Sequence, residues 1–185
     1  MSFLLVVLAA MTAMNPARVA AALPADSSQH KRVAGSAVAL LLAVEFVLVA
    51  VSGPLLGWIG VTSSSSIIAA GVAMVVIGAR DSVVAPPVME RPPEWPTNIA
   101  IPLFFPTMFT PAIAMIAVAA GANRGVVVGF AALAVGMVAS ATSSLLVSHG
   151  SRLKHGSGLR IAGSIFGLAA VAVGALVGAH GVMSI

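Results

Sequence analysis

The chain has no cysteine and no tyrosine, and only five acidic residues among 185. Without thiols there is no disulfide, no thiolate nucleophile and no cysteine-based metal site, and the redox compartment is left unspecified. Charged residues make up 8% of the chain, against about 25% in a water-soluble globule, which excludes a soluble domain. No His-x-x-x-His or Glu-containing metal spacing occurs, no Gly-x-Ser-x-Gly elbow, and no convergent acid, base and nucleophile. An enzyme is therefore not expected, and neither a metal nor a cofactor is expected. The pI near 11.3 rests on nine Lys and Arg that mostly flank apolar runs. There is no basic stripe with interleaved aromatics, so nucleic-acid binding is not expected either.

What is present is apolar: 59% of residues are hydrophobic and mean hydropathy is +1.10, the composition of an integral membrane protein. Crossing ~30 Å of hydrocarbon takes about 20 residues. Six runs meet or approach that, from Phe3 to Leu23, Val33 to Ile59, Ile67 to Val84, Ile99 to Ala120, Val126 to Leu146 and Leu159 to Val182. The first is read as a retained span, because Met1-Ser2 lacks the positive n-region of a signal peptide. Between Ala85 and Pro96 five prolines preclude a continuous helix. The expected organisation is a first three-helix unit over 1–85, a Pro-rich cytoplasmic connector over 86–97 and a second three-helix unit over 98–185.

Loops one, three and five hold Arg18, Lys31, Arg32, Arg80, Arg91, Arg152, Lys154 and Arg160, and the opposite side holds Arg124. Cytoplasmic loops retain the basic excess, so both termini are expected outside the cytoplasm, with Trp95 at the inner interface and Trp58 at the outer one. Asp26, Asp81, Glu90 and Glu94 lie beside these cations and read as solvated surface.

Asn15-Pro16 falls within the first run and has the grammar of a helix start, an N-cap followed by proline at the first helical position. Thr110-Pro111 repeats it in the fourth. Asn15-Pro16-Ala17 matches Thr110-Pro111-Ala112, Arg32 matches Arg124, and Ile68-Ala69-Ala70-Gly71 matches Arg160-Ile161-Ala162-Gly163, offset by 95 residues in the first case and 92 in the others. Three spans per half is odd, so the second half enters from the opposite side. The expected fold is all-α, six transmembrane helices as two inverted three-helix repeats, with helices 1 and 4 interrupted by proline at mid-membrane.

Candidate binding residues follow from that frame. Asn15, Pro16, Thr110 and Pro111 mark two helix starts that together suit an anion, or else are simple kinks. Thr107, with Asn98 nearby, lies in the Pro102-to-Pro111 stretch, which is too proline-rich for a regular helix and is expected to line a cavity. Glu45 is the one acid deep within a span. It reads either as a proton or cation site or as a protonated side chain joining two helices by a hydrogen bond. The second half has Met137 near the matching position. Serines and threonines at Thr62 to Ser66 and Ser140 to Ser148 read as caps and back-bonds. Gly53-x-x-x-Gly57, Gly125-x-x-x-Gly129, Gly163-x-x-x-Gly167 and Gly174-x-x-x-Gly178 read as close-packing faces, within the bundle or towards a homodimer or larger complex.

The Asn-Pro break, the third run opening at Ile67-Ile68-Ala69-Ala70-Gly71 and closing at Ile77-Gly78-Ala79-Arg80, and the Pro-rich fourth run together resemble the MarC family of the LysE transporter superfamily. The resemblance covers nearly the whole chain. It departs after the first break, where Ala17-Arg18-Val19 replaces an Asp-Pro-Ile-Gly-Asn-type continuation, and there the sister group of sulfolipid-addressing GAP-type proteins is also similar. The resemblance implies a multi-pass protein of the bacterial inner membrane that exports a small molecule or lipid-linked metabolite. The alternative is a non-catalytic partner assisting envelope glycolipid translocation or assembly of a larger membrane complex.

Overall fold

The computed structural model describes residues 1–22, 27–84, 104–105, 107–151 and 157–185, with side chains throughout except at 27–34, 147–151 and 157. Among these residues there are seven helices and no strand: α1 (Phe3–Ala13), α2 (Pro16–Ala22), α3 (Ser27–Ile59), α4 (Ser63–Val83), α5 (Pro111–Arg124), α6 (Val126–Ser151) and α7 (Ser157–Val182). Five described stretches are long and apolar enough to cross a membrane: Phe3–Ala22, Gly35–Ile59, Ser63–Val83, Val126–Leu146 and Gly158–Val182. The expected fourth span falls partly outside the described residues. Its described part is a wide turn at Phe104–Phe109 and then α5, which continues past Ala120 to Arg124. The connector over 86–97, with Trp95, also lies outside them, as do Asn98, Asp26, Glu90 and Glu94.

Local chemistry sets the helix boundaries. Ser2 caps α1 by accepting from the Leu5 N–H (3.2 Å) and Thr62 caps α4 by accepting from the Ser65 N–H (3.2 Å). Thr142, Ser143 and Ser144 donate back to carbonyls of their own helix at 2.7–2.8 Å, as expected of hydroxyls on a helix without solvent. Between α5 and α6 the chain reverses at Gly125, whose φ of 78° and ψ of 167° lie in a region open in practice only to glycine.

The strongest association is the antiparallel seam of α4 and α7, and glycine makes it possible. A Cβ at Gly71 would lie 2.5 Å from the Gly178 N, and one at Gly78 would lie 2.6 Å from the Gly167 O. From the other side, a Cβ at Gly167 would meet the Ser82 N at 2.6 Å and one at Gly174 the Met74 Cβ at 2.8 Å. Ser64 donates to the Ser184 carbonyl and Ser164 to the Ser82 carbonyl, both at 2.9 Å, tying the two ends. Backbones this close maximise dispersion, the main attraction between helices where lipid removes the hydrophobic term. The expected close-packing faces divide between the bundle interior and its outside. Gly167 and Gly174 pack within the bundle, but a Cβ at Gly53 or Gly57 would meet nothing within 4 Å, and Gly125 serves the turn.

Around this seam the remaining helices pack mostly across the two halves. α1 and α2 lie on α6 and α7, while α5 lies on α3 and α4, and α3 also meets α6. The Met1 amine donates to Asn123 and the Arg124 guanidinium to the Met1 carbonyl, which sets the start of α1 beside the end of α5. A Cβ at Gly136 would meet the Val7 carbonyl at 2.5 Å, so α1 packs closely on α6, and because it starts beside the α5–α6 turn it runs in the same direction. Arg80 and Arg160 consequently stand at one face of the bundle and Arg124 at the other.

Candidate functional site

The first break differs from its expected form. Met14 and Asn15 donate their N–H groups to Ala10 (3.3 Å) and Thr12 (3.2 Å), closing α1, and Pro16 has no N–H with which to continue it. Asn15 takes a φ of 46°, the left-handed conformation that asparagine tolerates best after glycine. Its side chain does not cap α2. Instead the Asn15 Nδ2 donates to the Asp81 Oδ2 at 2.9 Å and to the Gly163 carbonyl at 3.4 Å. Arg18, one turn into α2, places Nη2 2.8 Å from the same carboxylate oxygen and 3.3 Å from the Ala13 carbonyl freed by the break.

Two expectations are corrected here. Arg18 is not a loop cation and Asp81 is not solvated surface; their side chains are 11% and 12% exposed and neutralise one another inside the bundle. Asn15 stands level with Asp81, two residues from the end of α4, on the side of the bundle that carries Arg80 and Arg160.

The second break has the expected capping geometry. Thr110 is extended (φ −106°, ψ 158°), its hydroxyl accepts from the Ile113 N–H at 3.3 Å, and Pro111 opens α5. Upstream, the Phe109 N–H reaches the Phe104 carbonyl at 2.7 Å across a wide turn, and the two rings stack with centroids 5.6 Å apart. Thr107 and Thr110 are both buried. The Thr110 cap occupies the Ile113 N–H, one of those the helix start would otherwise leave free.

Glu45 is 0% exposed, near the middle of the Gly35–Ile59 span. Leu41, Glu45, Val49, Ser52 and Leu56 recur at helical spacing and are all buried, forming the inward face of α3. Neighbouring residues fix what that face meets. Phe46 packs edge-on against Phe130 of α6 with centroids 5.2 Å apart, and Val49 and Ser52 sit against Gly121 of α5. Both Glu45 carboxyl oxygens are buried without a hydrogen-bond partner among the described residues. The helix-joining hydrogen bond considered above is therefore not made within this set. On the described side chains of α3, α5 and α6 the one cation is Arg124, at the far end of α5 and already turned to Met1. A carboxylate so placed costs several kcal/mol unless a proton or a cation from outside these helices neutralises it.

The sequence-derived residues thus separate into three places. Asn15 and Pro16 join Arg18, Asp81 and Gly163; Glu45 stands alone on the α3 face; Thr107, Thr110 and Pro111 surround the second break. No described hydrogen bond or ion pair links Glu45 to either break. Two participants, Arg18 and Asp81, are not marked as such by the sequence. Asp81 ends an apolar run beside Arg80 and carries no periodic signal, although an arginine inside the first run calls for an anion.

The fold and its buried polar groups define a polytopic helical membrane protein. No family model, curated protein or solved structure matches the chain.

Proposed function

We propose that the protein is a small membrane transporter, most simply an exporter of a small molecule or lipid-linked metabolite, in which Glu45 binds the coupling proton or the cationic group of the solute. The carrying observation is Glu45 itself: fully buried at mid-span, with neither a hydrogen-bond partner nor a counter-charge for its oxygens among the described residues. Such a group is a poor structural element and a good exchangeable cation site.

Two inverted three-helix repeats supply the setting. Exchanging the halves turns the packing of α1 and α2 on α6 into that of α5 on α3, and the packing of α5 on α4 into that of α1 and α2 on α7, while the α4–α7 and α3–α6 pairs map onto themselves. These exchanged pairs support the repeat read from Asn15-Pro16 and Thr110-Pro111, while the packing of α5 on α6 has no described counterpart of α1 or α2 on α3. In such folds rocking of one half against the other exposes a central site to each side in turn. Arg80 and Arg160 at one face and Arg124 at the other fit termini outside the cytoplasm.

The test uses proteoliposomes loaded with a pH-reporting dye and challenged with a panel of amino acids and small amines. The wild-type protein is expected to move protons when its solute is added, and Glu45→Gln, which keeps the shape but cannot ionise, is expected to abolish that movement. Equal proton movement by the variant would remove Glu45 from the mechanism. Failure of both proteins to carry any solute would favour the lipid-translocation partner.

A further inference from the structure

We propose that the Arg18–Asp81 ion pair is a latch that closes one side of the transporter, the face carrying Arg80 and Arg160, by holding α2 against the end of α4. The latch rests on the transport reading above, since a closed side has meaning only if it also opens.

α4 and α7 meet at glycines, their backbones too close to slide, and serine bonds tie both ends of the seam. Against that frame α2 is a short element, seven residues long, separated from α1 by a break that has no continuous helical hydrogen bonding. α2 is almost wholly apolar, with Ala17, Val19, Ala20, Ala21 and Ala22 buried on α6 and α7. Its described polar ties to the frame come from Arg18 and from Asn15 just before it: both reach one oxygen, the Asp81 Oδ2, and Asn15 has a second, longer bond to the Gly163 carbonyl. Breaking that convergence frees α2 to tilt about Asn15 without disturbing α1 or the seam.

The repeat adds a second line. At the offset of 95 residues Arg18 corresponds to Ile113, and at the offset of 92 Asp81 corresponds to Val173. The equivalent place in the other half is apolar, so the ionic latch acts on one face only. Opening that face requires an ion pair between side chains to separate, whereas the described polar ties at the opposite face are hydrogen bonds, those of Met1 with Asn123 and Arg124 and of Ser64 with the Ser184 carbonyl.

A chain without native cysteine makes the test direct. Ala17 is fully buried beside Arg18, and Ala17→Cys places a thiol on α2. Its modification by a membrane-impermeant maleimide is followed separately from each face of oriented vesicles. From the Arg80 face, Asp81→Asn is expected to speed labelling by about tenfold or more, and the charge-swapped pair Arg18→Asp with Asp81→Arg to return it to the starting rate. The neutral pair Arg18→Gln with Asp81→Asn leaves no orphaned charge, folds independently of that cost, and is expected to label fast. An unchanged rate in both neutral variants, or an equal rise from both faces, would overturn the latch. Labelling needs no solute, so the two proposals separate. Unchanged labelling together with lost coupling in Glu45→Gln sinks the latch alone, and faster labelling together with intact coupling in that variant sinks the role of Glu45 alone.

Discussion

Gly71→Leu is expected to yield no folded protein. Even a Cβ at this position would lie 2.5 Å from the Gly178 N, 2.6 Å from the Gly174 O and 2.7 Å from the Gly178 Cα. These are backbone atoms of α7, which cannot rotate aside as a side chain can, so α4 and α7 would have to part along their length. Overpacking a well-packed interior costs about 1–3 kcal/mol and occasionally more; with backbone on both sides Gly71→Ala is expected at the top of that range and the leucine beyond it. Gly53→Leu, on the outward face of α3 where nothing lies within 4 Å, is the matched control and should fold. Size-exclusion profiles and thermal unfolding in detergent separate the two. A monodisperse Gly71→Leu protein melting with the wild type would refute the seam.

The second large effect is expected at Asp81. Asp81→Ala removes the sole described anion facing Arg18 and leaves a guanidinium almost buried, with its Nε already unpaired. Removing one partner of a buried ion pair costs about 3–5 kcal/mol, chiefly through the stranded charge, whereas replacing both partners by apolar groups is often neutral or stabilising. The double variant Arg18→Leu with Asp81→Leu should therefore melt close to the wild type although Asp81→Ala melts far below it. Additive losses in the double variant would show that the two side chains do not act as a pair.

The membrane-spanning helices were legible because apolar runs of about 20 residues have few other uses. Glu45 was legible for the same reason in reverse, as an acid where none is cheap. The helix seam was harder to read. Glycines four apart include Gly53 and Gly57, which face outward, but not Gly71 and Gly78, which face Gly174 and Gly167. The true signal is a seven-residue spacing, Gly71 and Gly78 on one helix and Gly167, Gly174 and Gly181 on the other, which keeps one face towards a partner crossing at a shallow angle. Asn15 illustrates a different limit. Asparagine before proline fits both an N-cap and a left-handed turn, and the choice was made by Asp81, 66 residues away, which gave the Asn15 amide a partner that a cap could not.

If Glu45 serves transport as proposed, water is expected to reach it from each face in turn. Leu41 and Val49 flank it by one helical turn on the same buried face of α3, Leu41 towards the Arg80 face and Val49 towards the Arg124 face. In vesicles of known orientation, the cysteine introduced by Leu41→Cys is expected to react with an impermeant methanethiosulfonate applied from the Arg80 face, and that introduced by Val49→Cys with the same reagent from the Arg124 face. If neither cysteine reacts from either side in the folded protein, Glu45 sits in sealed packing and the transport account is wrong.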